Sequence, residues 1–298
     1  MSGVAGLRIG HATDREARTG CTVLLGPFRA AGHVCGHATG SRELDVLSSL
    51  HLVQQIDALL LTGGSAFGLA AADGVVAWLE ERGIGFDTGV ARVPIVPSAV
   101  IFDLGTGRAD RRPDAAMGRA ACDAASGDLP AEGAVGAGTG ATSGKVGGRD
   151  GARPGGFGRA VVEWGGHAVL GAVVVNPLGY VRDESGRIAG APEPGGPGPG
   201  GADPFVDATP PGTNTTLAAV VTDAPLPRDA LGVVARMASA AIARRIDPAF
   251  TPFDGDIVFA LSTALEAAAT APAQVAACGV AACAALEQAI LRAVVGPR

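Results

Sequence analysis

The chain has 298 residues, 47 % hydrophobic and 17 % charged, enough to bury a sizeable core in one or two domains and too apolar for a disordered chain. Its net charge of −6 and pI near 5.4 argue against a nucleic-acid partner, which calls for a basic face, and no basic run suits an anionic membrane. The opening "MSGVAGLRIGHATD" lacks the basic-then-apolar order of a secretory signal, so the expected compartment is the cytoplasm.

In chain order, "HVCGH" puts His33, Cys35 and His37 at alternate positions, on one face if the segment is a strand. No second ligand cluster follows, so they are expected to be satisfied interior side chains rather than metal ligands. All five cysteines lack CxxC spacing and read as reduced thiols. The apolar spacing of residues 43–61, "ELDVLSSLHLVQQIDALLL", predicts a helix, and 65–82, "SAFGLAAADGVVAWLEER", predicts a buried helix ended by Gly83. Residues 92–104, "RVPIVPSAVIFDL", are rich in strand formers but broken by two prolines.

The glycine-rich stretch "GAVGAGTGATSGKVGG" holds Lys145, the single lysine among 23 basic residues. A lysine can shift its pKa when buried, which arginine cannot readily do. The stretch also admits a second reading, a nucleotide- or ligand-binding loop around Lys145. A phosphate loop, however, needs Gly at Thr139 and Ser or Thr at Val146.

Residues 159–176 predict two strands joined at Gly165-Gly166. Residues 181–213, with their many Gly and Pro, predict a mobile linker without regular elements. Order is expected to return with a strand from Thr215, a helix over "RDALGVVARMASAAIARR", a strand in "GDIVFALST" and an alanine-rich C-terminal helix. Residues 267–286 are uncharged, yet too weakly apolar for a convincing membrane span, and read as a packed helix.

Asn214-Thr215-Thr216, taken alone, reads as a turn into a strand. A threonine at a chain break would carry both a hydroxyl and an α-amine of pKa about 8, able to serve as base for that hydroxyl. Asp254 and Asp256 flank a single glycine at a strand entrance, on one face if the strand has begun, and could hold an ammonium, orient a hydroxyl or simply form a turn.

The ordered set "GLRIGHATD", "LTGGSAFGLAAADGV", "ARVPIVPSAVIFD", "GAGTGATSGK", "VVVNPLG", "NTTLAAVVTDA" and "TPFDGDIVFALST" resembles the DmpA-type aminopeptidases and β-aminopeptidases, closest to their nylon-oligomer hydrolase branch. The resemblance implies an α/β fold, the four-layer αββα sandwich. It also implies a single domain over 1–298 that cuts itself between Asn214 and Thr215, into an α-chain 1–214 and a β-chain 215–298. Mature Thr215 would then attack small peptide or amide-oligomer substrates, 6-aminohexanoate oligomers among them, without metal or organic cofactor. Aminopeptidase relatives instead require a free amino terminus.

By the same resemblance Asp254 and Asp256 orient the nucleophile and its amine, Lys145 matches the lysine of the nylon-hydrolase branch, and Asn176 matches an asparagine that stabilises the oxyanion. Phe102 stands where relatives carry a tyrosine. Oligomers of α/β heterodimers, tetramers or larger, are expected.

Overall fold

A computed structural model describes residues 3–148, 151–189 and 213–296. Nine strands are joined by hydrogen bonds, eight of them in one path: β1 (Arg8–Asp14), β2 (Thr19–Val34), β3 (Ser41–Arg42), β4 (Gln55–Thr62), β5 (Ser98–Val100), β6 (Gly156–Trp164), β7 (His167–Asn176), β8 (Thr215–Thr222) and β9 (Ile257–Ser262). Their order is β6-β7-β8-β9-β2-β4-β5-β3, with β1 beside β2. The pairs β8/β9 and β4/β5 are parallel and the remaining pairs antiparallel.

The path folds back on itself through β2. Its first half pairs with β1 and β4, its second half with β9, and the register shifts between Leu25 and Phe28. Such a bulge bends a strand and raises its twist. Two stacked sheets result, and side-chain alternation assigns the layers. Leu24, Phe28, Leu59 and Leu61 meet Leu170, Leu217, Val221 and Phe259 between the sheets. Val23, Leu25, Ala58 and Leu60 face α1 (Ala71–Glu80) and α2 (Ala115–Asp123). Val173, Ala218, Val220 and Val258 face α3 (Arg228–Ala238), α4 (Ala240–Arg245) and α5 (Pro272–Val295). These are the four layers of the expected αββα sandwich. Phe28, Phe157 and Phe259 are fully enclosed between the sheets, each contributing about 1.5–3 kcal/mol.

The predicted hairpin is present: Trp164 pairs with His167 across Gly165 and Gly166, whose φ angles of 57° and 81° suit a tight primed turn. Helix α5 is long and apolar enough to cross a membrane by length and composition. Here Cys278, Ala282, Leu286 and Ile290 pack against β6 and β7 within the core.

Three expectations need correction. Residues 43–61 are not one helix: a single 3-10 turn, Leu44–Leu47, is followed by the central strand β4. Leu59, Leu60 and Leu61 are buried on both faces, so the strand shows a continuous apolar run with no alternation to read. The linker does not begin at 181. Tyr180–Val181 pairs with Ile246–Asp247, Arg182 bridges Ile188, and Asp183 caps the turn between them through Ser185 and Arg187. The remainder of the expected linker, 190–212, lies outside the described residues. His33 and Cys35 are half-buried and His37 is exposed, so they are not interior side chains.

Candidate active site

The C-terminal end of β7 and the N-terminal end of β8 meet in register, Asn176 opposite Thr215. Because antiparallel neighbours sit side by side, the first residue of β8 is fixed against the last of β7. Both are buried, as is Asn214. The Thr215 hydroxyl donates to the carbonyl oxygen of Asn214 at 2.5 Å, and that oxygen also accepts the Gly255 N–H at 2.9 Å. Gly255 is held there because Asn214 bridges Asp254 in parallel just ahead of the β8/β9 ladder. A Cβ on Gly255 would lie 2.6 Å from the Ala38 oxygen and 2.9 Å from Thr215 Oγ1, so only glycine lets the backbone come this close.

Lys145 enters from the glycine loop. Gly144 precedes it at φ 73°, and the Tyr180 ring packs where a side chain on Gly144 would be. Its Nζ donates to Thr142 O at 3.1 Å, Asn176 O at 3.0 Å and Asn176 Oδ1 at 2.9 Å. All three ammonium donors are therefore engaged inside the protein, which removes the loop's case as a phosphate cradle. Burial pulls the Lys145 pKa down to about 7, against the opposing pull of the Asp254 and Asp256 charges.

Asn176 is held at both ends of its amide. Oδ1 accepts Thr142 N–H at 3.0 Å as well as Lys145, and Nδ2 donates to Phe102 O at 3.2 Å. Its amide nitrogen thus spends one of its two N–H groups on Phe102.

The two aspartates flank Gly255 but serve different partners. Asp254 accepts from Leu178 N–H at 3.1 Å, Thr251 N–H at 3.1 Å and the Thr251 hydroxyl. Asp256 accepts from Thr216 N–H at 2.6 Å. Burial, with the neighbouring Asp254 charge, pushes the Asp256 carboxyl up to about 7. The carboxylates fix the strand ends on either side of Thr215 and touch it through its neighbours.

Phe102 is half-buried and lines a cavity of about 410 Å³ together with Arg18, Thr142, Lys145, Arg153 and Thr213. Phe102 and Lys145 on the cavity wall are linked to Asn176 by hydrogen bonds, and Asn176 to Thr215, Asp254 and Asp256 by the paired strand ends. Sequence reasoning missed the Gly255 N–H as the partner of the Asn214 oxygen. The signal was the lone glycine between two acids, visible as a spacer and not as a donor. Nor did it find Arg18 and Arg153, which carry no motif. Among the described residues no group of three His, Cys, Asp or Glu could hold a metal ion.

Known proteins share this fold and part of this sequence. A β-aminopeptidase of Burkholderia sp. shares the fold with a TM-score of 0.74 at 24 % identity, covering 98 % of this chain and 85 % of that one. An L-aminopeptidase D-Ala-esterase/amidase of Ochrobactrum anthropi, described as a variant of the Ntn hydrolase fold, does so at 0.75 and 22 %, covering 99 % and 85 %. In sequence the chain is 42 % identical over 310 aligned residues to an uncharacterized aminopeptidase of Mycobacterium leprae, covering 93 % of this chain and 82 % of the relative. It is 33 % identical to a 6-aminohexanoate-oligomer endohydrolase of Agromyces sp., covering 87 % and 73 %. The family model of peptidase family S58 matches residues 1–297. The chain belongs to peptidase family S58 and is a hydrolase.

Proposed function

We propose that the chain cuts its own Asn214–Thr215 bond and that mature Thr215 then hydrolyses small peptide or oligoamide substrates through an acyl-enzyme. The observation that carries this reading is the Asn214 carbonyl oxygen, which accepts from both Thr215 Oγ1 and the Gly255 N–H. The attacking hydroxyl and a donor for the developing oxyanion thus already converge on one buried bond. A positioned donor of this kind supplies about 3 kcal/mol to a transition state.

In the self-cleavage step Oγ1 bonds to the Asn214 carbonyl carbon and the C–N bond breaks. The hydroxyl proton passes to the departing Thr215 nitrogen. Water then hydrolyses the ester, leaving the Asn214 carboxylate, the free hydroxyl and an N-terminal amine. Lys145, with a pKa near 7 and seated on the residue opposite Thr215, is suited to take the hydroxyl proton and pass it on. In the mature enzyme the new α-amine, of ordinary pKa about 8, serves the same hydroxyl.

A substrate amide entering by the cavity repeats the attack: its acyl group is transferred to Oγ1, its amine leaves with a proton, and water releases the acid. Amide oligomers of the 6-aminohexanoate type and peptides with free amino termini are both within this chemistry. The working form is taken to be cytoplasmic and assembled from several α/β pairs.

Intact mass spectrometry under denaturing conditions tests the reading. Two masses, for 1–214 and 215–298, are expected from the wild-type chain, and one full-length mass from Thr215→Ala. Splitting of the Thr215→Ala chain at the same bond would sink the assignment.

A further inference from the structure

We propose that the turn over residues 35–38, where β2 runs past its pairing with β9, is the positioning element that aims the Gly255 N–H at the scissile carbonyl, and that Gly36 is the residue on which it depends. The inference rests on the Asn214–Thr215 bond being the one cut, since only then does the Asn214 oxygen need a donor.

β2 and β9 are antiparallel, and their ladder ends with Val34 opposite Ile257. Beyond it the two segments stay together through successive backbone donors. Cys35 N–H and Gly36 N–H donate to the Asp256 carbonyl oxygen at 2.9 and 3.0 Å, and His37 N–H and Ala38 N–H to that of Asp254 at 2.8 and 3.0 Å. A carbonyl oxygen has two lone pairs, so each is filled by its own pair of donors.

The Asp254 carbonyl and the Gly255 N–H belong to one peptide unit. In a planar trans peptide these two groups point in opposite directions. Fixing the carbonyl on His37 and Ala38 therefore leaves the N–H a single direction, onto the Asn214 oxygen at 2.9 Å. Turning the unit over would give up all of these bonds at once beside the buried Asn214 and Asp254, where unpaired backbone groups are costly. The donor is thus aimed before any charge develops, as stabilisation of an oxyanion requires.

Gly36 lets the turn come this close. A Cβ there would lie 2.2 Å from Asp256 N and 2.4 Å from the Asp254 oxygen, backbone atoms that cannot swing aside as a side chain could. The side chains of the turn point to other partners: His37 is exposed, and the Cys35 Sγ donates to His33 O at 3.5 Å. The segment that stood out for its His and Cys side chains therefore acts through its N–H groups. It lies in 1–214 and its target in 215–298, so the contact outlasts cleavage and aims the same donor at a substrate carbonyl.

Gly36→Ala tests the turn in cell-free translation, with intact mass reporting self-cleavage. The plateau rate should fall by about 100-fold, the usual worth of one oxyanion donor. The midpoint of the pH profile should stay at its wild-type value, because the turn acts on the carbonyl and not on the base. A wild-type rate, or a slower one with a displaced midpoint, overturns the proposal.

The isotope-labelled, uncut Thr215→Ala chain adds a readout that lost stability alone does not move. Its Gly255 amide proton should shift upfield when Gly36→Ala is added, as the bond to the Asn214 oxygen weakens. An unchanged Gly255 resonance beside slowed cleavage overturns the proposal. Should Gly36→Ala not fold, the backbone itself can be edited: lactic acid in place of Ala38 turns one N–H donor into an ester oxygen and adds no bulk. That chain should cleave about tenfold more slowly, the scale of one hydrogen bond, and cleavage at the wild-type rate overturns the proposal. Splitting of the Thr215→Ala chain overturns the nucleophile instead, so the two failures are told apart.

Discussion

Asn176 and Thr215 face each other across β7 and β8, and the Lys145 amine rests on Asn176 through both its backbone oxygen and its Oδ1. The cross-strand pair therefore sets the single lysine of the chain one residue across the ladder from Thr215, which opens β8. With a Lys145 pKa of about 7, the neutral amine grows as pH rises through that value. Self-cleavage in cell-free translation should accelerate from about pH 6 to pH 8 and then level off. Lys145→Met should slow it by about 100-fold or more, the usual worth of a positioned base. Lys145→Arg should not restore it, since a guanidinium stays charged. An unchanged half-time in Lys145→Met would remove the lysine from the mechanism.

Asn176→Asp offers a sharper test of the same contact. A carboxylate in place of the Oδ1 that accepts from Nζ at 2.9 Å favours the ammonium form, so the pKa of Lys145 rises. The midpoint of the cleavage profile should move up by about one unit or more. A midpoint that stays near 7 would mean that the profile reports another group.

Gly255→Ala should block processing more than folding. Its Cβ would crowd the Ala38 oxygen and Thr215 Oγ1, displacing the hydroxyl or the N–H that share the Asn214 carbonyl. Overpacking of this kind costs about 1–3 kcal/mol of stability. Circular dichroism should remain native-like while the intact mass stays full length. Cleavage at the wild-type rate would show that the close approach is dispensable.

Asp256 makes a pH-dependent claim on stability. Its folded pKa is raised to about 7 from an ordinary 3.8, so the native state holds a proton that the unfolded state releases between those values. Native stability from this group is therefore lost as pH climbs from about 4 to 7. Asp256→Asn removes that loss and keeps an acceptor for Thr216 N–H. Made in the uncleaved Thr215→Ala background, it should raise Tm by about 3 °C or more at pH 8, with little gain at pH 4. A gain equal at both pH values would point to packing instead of charge.

Local chemistry made part of this molecule readable in advance. The Gly165-Gly166 turn, strand β8 and helix α5 follow from φ-permissive glycines, β-branched runs and alanine content, all of which act within a few residues. Strand β4 did not, because burial on both faces erases the alternation that separates strand from helix. Residues 181–189 looked too rich in turn formers for order, yet their pairing with Ile246–Asp247 is a long-range contact that composition does not encode. At the site, Thr215, Lys145, Asn176, Asp254 and Asp256 stood out through motif or scarcity. The Gly255 N–H could not, since a backbone donor leaves no side-chain signature. Arg18 and Arg153 were hidden for a different reason: they are two of many arginines, distinguished only by where the chain brings them.

The position of β8 and β9 has a consequence for any form of the protein cut at Asn214–Thr215. Both strands belong to the C-terminal product, yet they lie between β7 and β2, which belong to the N-terminal one. The two polypeptides would be interleaved, each supplying the hydrogen-bond partners for the other's central backbone. They could part only by tearing open the middle of a sheet, so subunit exchange and unfolding would be the same event. A chain of 1–214 made alone would carry two unsatisfied strand edges where its neighbours should be, a surface prone to aggregate. Covalent continuity is then needed to build the fold, and becomes dispensable once the fold exists.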